Sequence, residues 1–353
     1  MTRPHLLLLA SLLLIAGTAY ADNPSPAKPE AALAYADKIA AKVEMTRYTF
    51  ERKLMGTGCV ITVYADNAKE ASASSNAAFD EMDRLVSVMS DYIQHHPESE
   101  LLQLAQHSSE DPEEARHVSD DLWAVLARSA EVHDATGGAF DITAKPFTNM
   151  WRTSRERREL PPKAAIDRMR PFVGMEHLVL DKDKQTARLA KQGAWLDLGG
   201  IAKGYIADRA LGVLKQRGLT MAQVQAGGDM ALGDPPPGLE GWPINVADFP
   251  TAEGERGLAF WHANGGVSVS GDAFRFIEIE GVRYSHVIDP RTGLGVTGSR
   301  YCCVKGPSAF ATDAAATVGC ILDQQAFEKA MGKLSEIEGP LQGWRFQGKS
   351  SNE

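Results

Sequence analysis

The chain has 353 residues, 44% hydrophobic and 24% charged, with a formal net charge of -9. That length allows one large domain or two ordinary ones around a sizeable core. The acidic balance excludes a general nucleic-acid surface, which needs clustered Lys and Arg, so any anionic ligand must be met locally.

The first residues carry Arg3, an apolar run from Leu6 to Ala16, and an Ala19-Tyr20-Ala21 site followed by Asp22. This pattern predicts a secretory signal peptide over residues 1–21, cleaved after Ala21. The apolar run is too short for a membrane span, and no second one follows, so no stable membrane insertion is expected. A single Arg3 argues against the twin-arginine route, and no cysteine stands at the cleavage site, so the expected product is a soluble periplasmic protein. Residues 22–44 open with the proline-rich "DNPSPAKPEAA" and read as a linker and leading helix before a domain spanning 45–353. The four cysteines, Cys59, Cys302, Cys303 and Cys320, have no zinc-site spacing. Export would permit disulfides, but Cys302 and Cys303 would face opposite sides of a strand, so at most one is expected to pair within one core layer.

"YTFERKL" and "TGCVITVYA" are strand-like runs with Gly56 between them as a turn. A helix follows through Ala77, Met82, Leu85, Val86 and Met89. A second runs from about Asp120 to Ala135, capped by Ser119 and ended by Gly137-Gly138. "GGAFDITAKPF" therefore sits just beyond a helix C-terminus. "NMWRTSRERRELPPK" lacks a period and reads as a surface excursion with a solvated basic run. "HLVLDKDKQTARLA" predicts a hairpin, "AWLDLG" a buried strand, and "IAKGYIADRALGVLKQRG" a helix stopped by Gly218. Strands then dominate until two final helices begin near Ser308 and Asp323. Consecutive strands interspersed with helices predict an α+β fold, with mixed β-sheets covered by helices.

Five clusters stand in order along the chain: "LMGTGCVITVY", "GGAFDIT", "LDLGGIAKGYIAD", "YSHVIDPRTG" and "ATDAAAT". Together they resemble the ApbE family, the FAD:protein FMN transferases, from Met55 to about Leu322. The resemblance implies a single compact α+β unit that moves FMN from FAD to a threonine hydroxyl of another exported protein, releasing AMP with the help of Mg²⁺. It implies that Met55, Tyr92, Ala139, Phe140, Asp141, Asp197, Lys203 and Ile288 hold FAD. It further implies that the Gly200 carbonyl, Asp313 and Thr317 hold the metal, and that His286 is the reactive-centre histidine. Ala316 stands where some members carry another acidic side chain, which implies fewer protein charges on the metal here. The acceptor implied is a membrane electron-transfer subunit with an exported domain.

The residues have physical readings of their own. Asp313 and Thr317, four apart, share a helix face and offer hard oxygens of the kind Mg²⁺ takes, although an Asp in a first helical turn is ordinarily a cap or dipole partner. Lys203 follows Gly199-Gly200 where a strand turns into a helix, a place suited to an anion, yet the spacing matches neither the Walker nor the dinucleotide loop. Phe140 could be core and Asp141 and Asp289 turn residues. His286 could accept a hydroxyl proton near neutral pH, whereas His133 and the His95-His96 pair read as structural or exposed. Two alternatives remain open at this level: an FAD pyrophosphatase giving FMN and AMP, and a non-catalytic FAD-binding or delivery protein.

Overall fold

The structure, a computed structural model, describes residues 25–92, 94–250, 256–272 and 276–347; the leader expected at residues 1–21 lies outside the described residues. Helix α1 (Pro29–Ala40) starts with a proline, which costs nothing there because a first-turn N–H has no helical acceptor. Expected only as a leader, this helix is part of the core: Ala32, Ala36 and Ala40 share an apolar cluster with Tyr64, Leu232 and Trp242.

Strands β1 (Thr46–Leu54) and β2 (Thr57–Ala65) form the expected hairpin. Its two-residue turn places Met55 at φ 53° and Gly56 at φ 68°, the left-handed pair that matches strand twist. Helix α2 (Ala68–Met89) is capped by Asn67, and helix α3 (Glu100–Glu110) by Ser99. After the short β3 (Arg116–His117), helix α4 (Asp120–Thr136) is capped by Ser119 and ends where Gly137 turns left-handed, both as expected.

Helix α5 (Lys145–Arg157) corrects the expectation of a surface excursion. Phe147, Trp151 and Ser154 are buried at helical spacing, but with only two apolar members among charges the stripe is too sparse to show in the sequence. Helix α6 (Lys163–Met169) and the hairpin β4 (Leu178–Asp181) to β5 (Thr186–Leu189) follow. "AWLDLG" is also corrected, because residues 194–198 form no strand. The Asp197 N–H bonds the Ile142 carbonyl at 2.7 Å, so the segment is tied to a loop instead of a sheet ladder. Helix α7 (Ala202–Gln216) ends before Gly218 at φ 85°.

The rest of the chain runs β6 (Ala222–Ala226), β7 (Asp229–Leu232), β8 (Trp242–Pro250), β9 (Arg256–His262) and β10 (Gly265–Gly271). Then come β11 (Phe276–Ile279), β12 (Val282–Asp289), β13 (Leu294–Thr297) and β14 (Arg300–Gly306). Helices α8 (Ala309–Ile321) and α9 (Gln324–Glu338), capped by Ser308 and Asp323, precede β15 (Gln342–Gln347).

The central sheet has seven strands in the order β1-β2-β6-β7-β10-β14-β15. The α+β class is as expected. The sheets, expected as mixed, are antiparallel in every described pairing, because successive strands are joined by hairpins or by excursions that return alongside. The alternation along each strand feeds two cores. Ile61, Val63, Ala231, Cys302 and Val304 pack with α2, α7 and α8, while Tyr64, Leu232, Val267 and Cys303 face α1 and the β8–β9 hairpin. Cys302 and Cys303 thus point to opposite faces as expected, and all four cysteines are buried free thiols. A third cluster joins Phe147 and Trp151 of α5 to Ile277, Ile279 and Ile288 of the small β11-β12-β13 sheet. Among the described residues no helix is long and apolar enough to cross a membrane.

Candidate active site

A cleft of about 660 Å³ opens where these parts meet, a volume ordinary for a small-molecule site. Met55, Tyr92, Ala139, Phe140 and Asp141 line one part of it, and Asp197, Gly200 and Lys203 another. His286, Ile288 and Thr317 complete the wall. Of the residues assigned in the sequence to FAD, the metal or proton transfer, only Asp313 is not at the surface of the cleft; it lies 1% exposed directly behind Lys203.

The Phe140 loop is fixed from within α4. His133 Nδ1 lies 2.9 Å from the Phe140 carbonyl, and the Phe140 N–H donates to Thr136 Oγ1 at 3.2 Å. His133 is therefore structural, as expected. Asp141 accepts from the Thr143 N–H at 2.7 Å and hydroxyl at 2.5 Å. Burial raises its carboxyl above the ordinary range, and those Thr143 bonds oppose the rise.

Asp197 shapes the next turn: Oδ1 accepts from the Gly199 N–H at 2.9 Å and Oδ2 from the Thr148 hydroxyl at 2.8 Å. Gly200 packs against α8 so closely that a Cβ there would stand 3.4 Å from Thr317 Oγ1 and 3.3 Å from the Phe140 ring. Lys203, one turn further, donates to Gly199 O at 3.2 Å and to both Asp313 oxygens at 3.2 Å, and pairs with Asp229 at 2.9 Å. Burial alone would depress this ammonium, but Asp229 and Asp313 outweigh it and hold it above its usual value. Burial and the nearby Asp229 push Asp313 up, against Lys203 and a Gly204 N–H donated at 3.0 Å.

The donor set fits a hard divalent cation. A buried carboxylate, a hydroxyl one helical turn away and the Gly200 backbone, where a side chain would meet that hydroxyl, are all oxygen sources. Among the described residues no cluster of three or more His, Cys, Asp or Glu is placed to hold a metal, so water and substrate phosphate would supply the remaining ligands. Ala316 is fully buried in the main core and does not line the cleft. The other carboxylate near Asp313 is Asp229, which pairs with the same lysine.

His286 sits in an irregularity no local pattern announces. Strand β12 pairs Tyr284 with Thr297 and Ile288 with Gly295, so the partner strand advances two residues while β12 advances four. Such a bulge re-aims side chains, here turning His286, Val287 and Ile288 to the cleft. The Trp151 indole N–H donates to the Ser285 carbonyl at 3.1 Å and pins the start of the bulge. The Asp289–Gly293 turn is as expected, with Gly293 N–H bonded to Asp289 O at 2.8 Å.

Three contributors were missed in the sequence, together with Asp91, the partner of two of them. Arg152, taken as solvated, lies 4.7 Å from the Tyr92 ring centroid, donates to its hydroxyl at 3.1 Å and approaches Asp91 at 3.6 Å. Lys145 is buried and paired with Asp91. Burial pushes its ammonium down to about 8, with Asp197 opposing and Arg152 adding to the shift. Thr148 holds Asp197. The missed signal was the position of all three α5 residues immediately after "GGAFDIT".

The ApbE family model matches residues 55–339. An FAD:protein FMN transferase of Escherichia coli (strain K12) is 29% identical over 282 residues, 78% of each chain. One of Klebsiella pneumoniae (strain 342) is 30% identical over 261 residues, 71% of each. The ApbE protein of Thermotoga maritima superposes with a TM-score of 0.71 at 23% identity, covering 86% of this chain and 97% of that one. The flavin transferase ApbE from Vibrio cholerae gives 0.68 at 23%, covering 87% and 99%. These two establish the fold alone, and the match over residues 55–339 extends it to kinship: the chain belongs to the ApbE family.

Proposed function

We propose that this chain is an exported FAD:protein FMN transferase that moves FMN from FAD to a threonine hydroxyl of an acceptor protein. The supporting observation is convergence. Residues scattered from Met55 to Thr317 line one cleft, and a partly buried lysine backed by a buried carboxylate stands in its wall. Curated relatives over most of the chain carry that same activity in their names.

In this reading Phe140 and Tyr92 offer aromatic surface to FAD, and Lys203 places a permanent cation beside its pyrophosphate. The threonine oxygen attacks the FMN phosphorus, the bond to the AMP oxygen breaks, and AMP departs with that electron pair. His286 takes the hydroxyl proton as general base. Asp313, Thr317 and the Gly200 carbonyl would hold Mg²⁺, whose charge offsets that of the phosphates when it is bound. Export by the residue 1–21 leader would bring the enzyme to exported acceptors, and exported domains of membrane electron-transfer subunits are the acceptors this reading takes.

AMP release from FAD, measured with Mg²⁺ in the presence and absence of such a threonine-bearing domain, tests the reading. Release that requires the acceptor supports a transferase. Equal release without it favours the pyrophosphatase, and unchanged bound FAD the delivery protein.

A further inference from the structure

Four oxygens surround the Lys203 ammonium: Asp229 Oδ2 at 2.9 Å, both Asp313 oxygens at 3.2 Å and Gly199 O at 3.2 Å. An ammonium has three protons to donate, so this is the surrounding of a held cation, with more acceptors than donors. Asp313 is the carboxylate in the divalent-cation reading above, and in the structure the lysine already engages it through both oxygens. One carboxylate is thus claimed by two cations. Asp229 differs. It is 3% exposed, begins β7, and has Lys203 as its ion-pair partner. The FAD, metal and base assignments made above leave it without a role.

We propose that Lys203 competes with the divalent cation for Asp313, and that Asp229 is a positioning residue that keeps the lysine in the site when Asp313 turns to the metal. The proposal rests on the metal reading under Proposed function but not on FMN transfer itself. It explains why two buried carboxylates flank one lysine. With Asp313 alone, cation binding would leave a partly buried ammonium with no counter-charge, which disfavours it. With Asp229 present the lysine keeps a counter-charge in either state. The competition also means that the lysine neutralises Asp313 from within, so that cation affinity is held down until something else engages the lysine.

Binding of Mn²⁺ alone to the full chain, followed by the loss of the free-ion electron paramagnetic resonance signal, tests this without any turnover. Lys203→Met combined with Asp229→Asn removes one positive and one negative charge, so the formal charge beside Asp313 is unchanged and no buried carboxylate is stranded. Competition predicts that this double variant binds Mn²⁺ at least about tenfold more tightly than the wild type. Asp229→Asn alone, which leaves the lysine only Asp313, should bind it several-fold more weakly. A circular-dichroism melt of each variant confirms that the comparison is between folded chains. A double variant that binds Mn²⁺ no more tightly than wild type overturns the competition, and an Asp229→Asn variant that binds as wild type does removes Asp229 from it. No Mn²⁺ binding by any form overturns both this proposal and the metal assignment. Tightening in the double variant of an enzyme that transfers no FMN upholds the competition and sinks only the transferase reading.

Discussion

Gly204 on α7 lies so close to Ala309 on α8 that a Cβ on Gly204 would stand 2.2 Å from the Ala309 carbonyl oxygen and 2.9 Å from the Asp313 Cβ. The missing side chain is what lets the two helices approach, and their approach brings Lys203 to Asp313. Gly204→Ala must push the helices apart, at a cost of roughly 1–3 kcal/mol. We expect a lower melting temperature together with a loss of transfer. Gly212→Ala on the same helix is the control, since a Cβ there meets nothing within 4 Å. It should be neutral or stabilising by up to about 1 kcal/mol. Equal behaviour of the two variants would remove the close approach from the account.

Trp151 is expected to act on transfer through the bulge that its indole pins. Trp151→Phe keeps most of the buried ring but leaves the Ser285 carbonyl without the indole N–H, a loss of about 1–3 kcal/mol in stability. Because Ser285 precedes His286, the transfer rate should fall more than FAD affinity does. A variant that loses stability but keeps the wild-type rate would show that the bond supports packing only.

Asp208 gives a pH dependence with a definite sign. It accepts the Ala309 and Phe310 N–H groups at 3.0 and 2.8 Å, at the start of the helix that carries Asp313. Burial pushes its carboxyl up from 3.8 to about 6, against those two hydrogen bonds. The folded chain therefore holds this proton more tightly than the unfolded chain. The stability it contributes is full below about 3.8 and is lost as pH rises through about 6. Asp208→Asn removes the titration. The stability of wild type minus that of the variant should fall by on the order of 2 kcal/mol between those pH values and then level off. Denaturant melts across that range measure it, and a flat difference contradicts it.

His286→Ala separates chemistry from binding. A positioned general base is worth on the order of a hundredfold or more, so transfer should fall by that much while FAD affinity stays within a few fold. The rising limb of rate against pH that a base produces should vanish in the variant. Loss of FAD with an unchanged pH profile would make His286 a binding residue and turn attention to Asp229 or Asp289.

What could be read before the structure was local. Ser119, Ser308 and Asp323 cap their helices because a side-chain oxygen three residues before an N–H is a local event, and Gly56 and Gly218 stop their elements for equally local reasons. The order of five clusters carried the candidate residues into one cleft. What stayed hidden depends on contacts distant in sequence. Helical spacing put Asp313 and Thr317 on one face but could not say that Asp313 is buried behind Lys203, more than a hundred positions away. The His286 bulge exists only because β12 pairs with β13 and Trp151 fills its start. Arg152 looked solvated because its basic neighbours dominate the segment and only the fold shows which face of α5 meets Tyr92.

The central claim, that the cleft transfers FMN to a protein threonine, is tested most directly by the intact mass of the acceptor. An exported electron-transfer domain is incubated with FAD, Mg²⁺ and this enzyme, beside the same domain with its target threonine changed to valine. The account predicts one FMN phosphoester on the threonine-bearing acceptor for each AMP released, none on the valine acceptor, and none when Asp313→Ala or EDTA removes the cation. Free FMN and AMP with both acceptors unmodified, or full modification by Asp313→Ala, would contradict it.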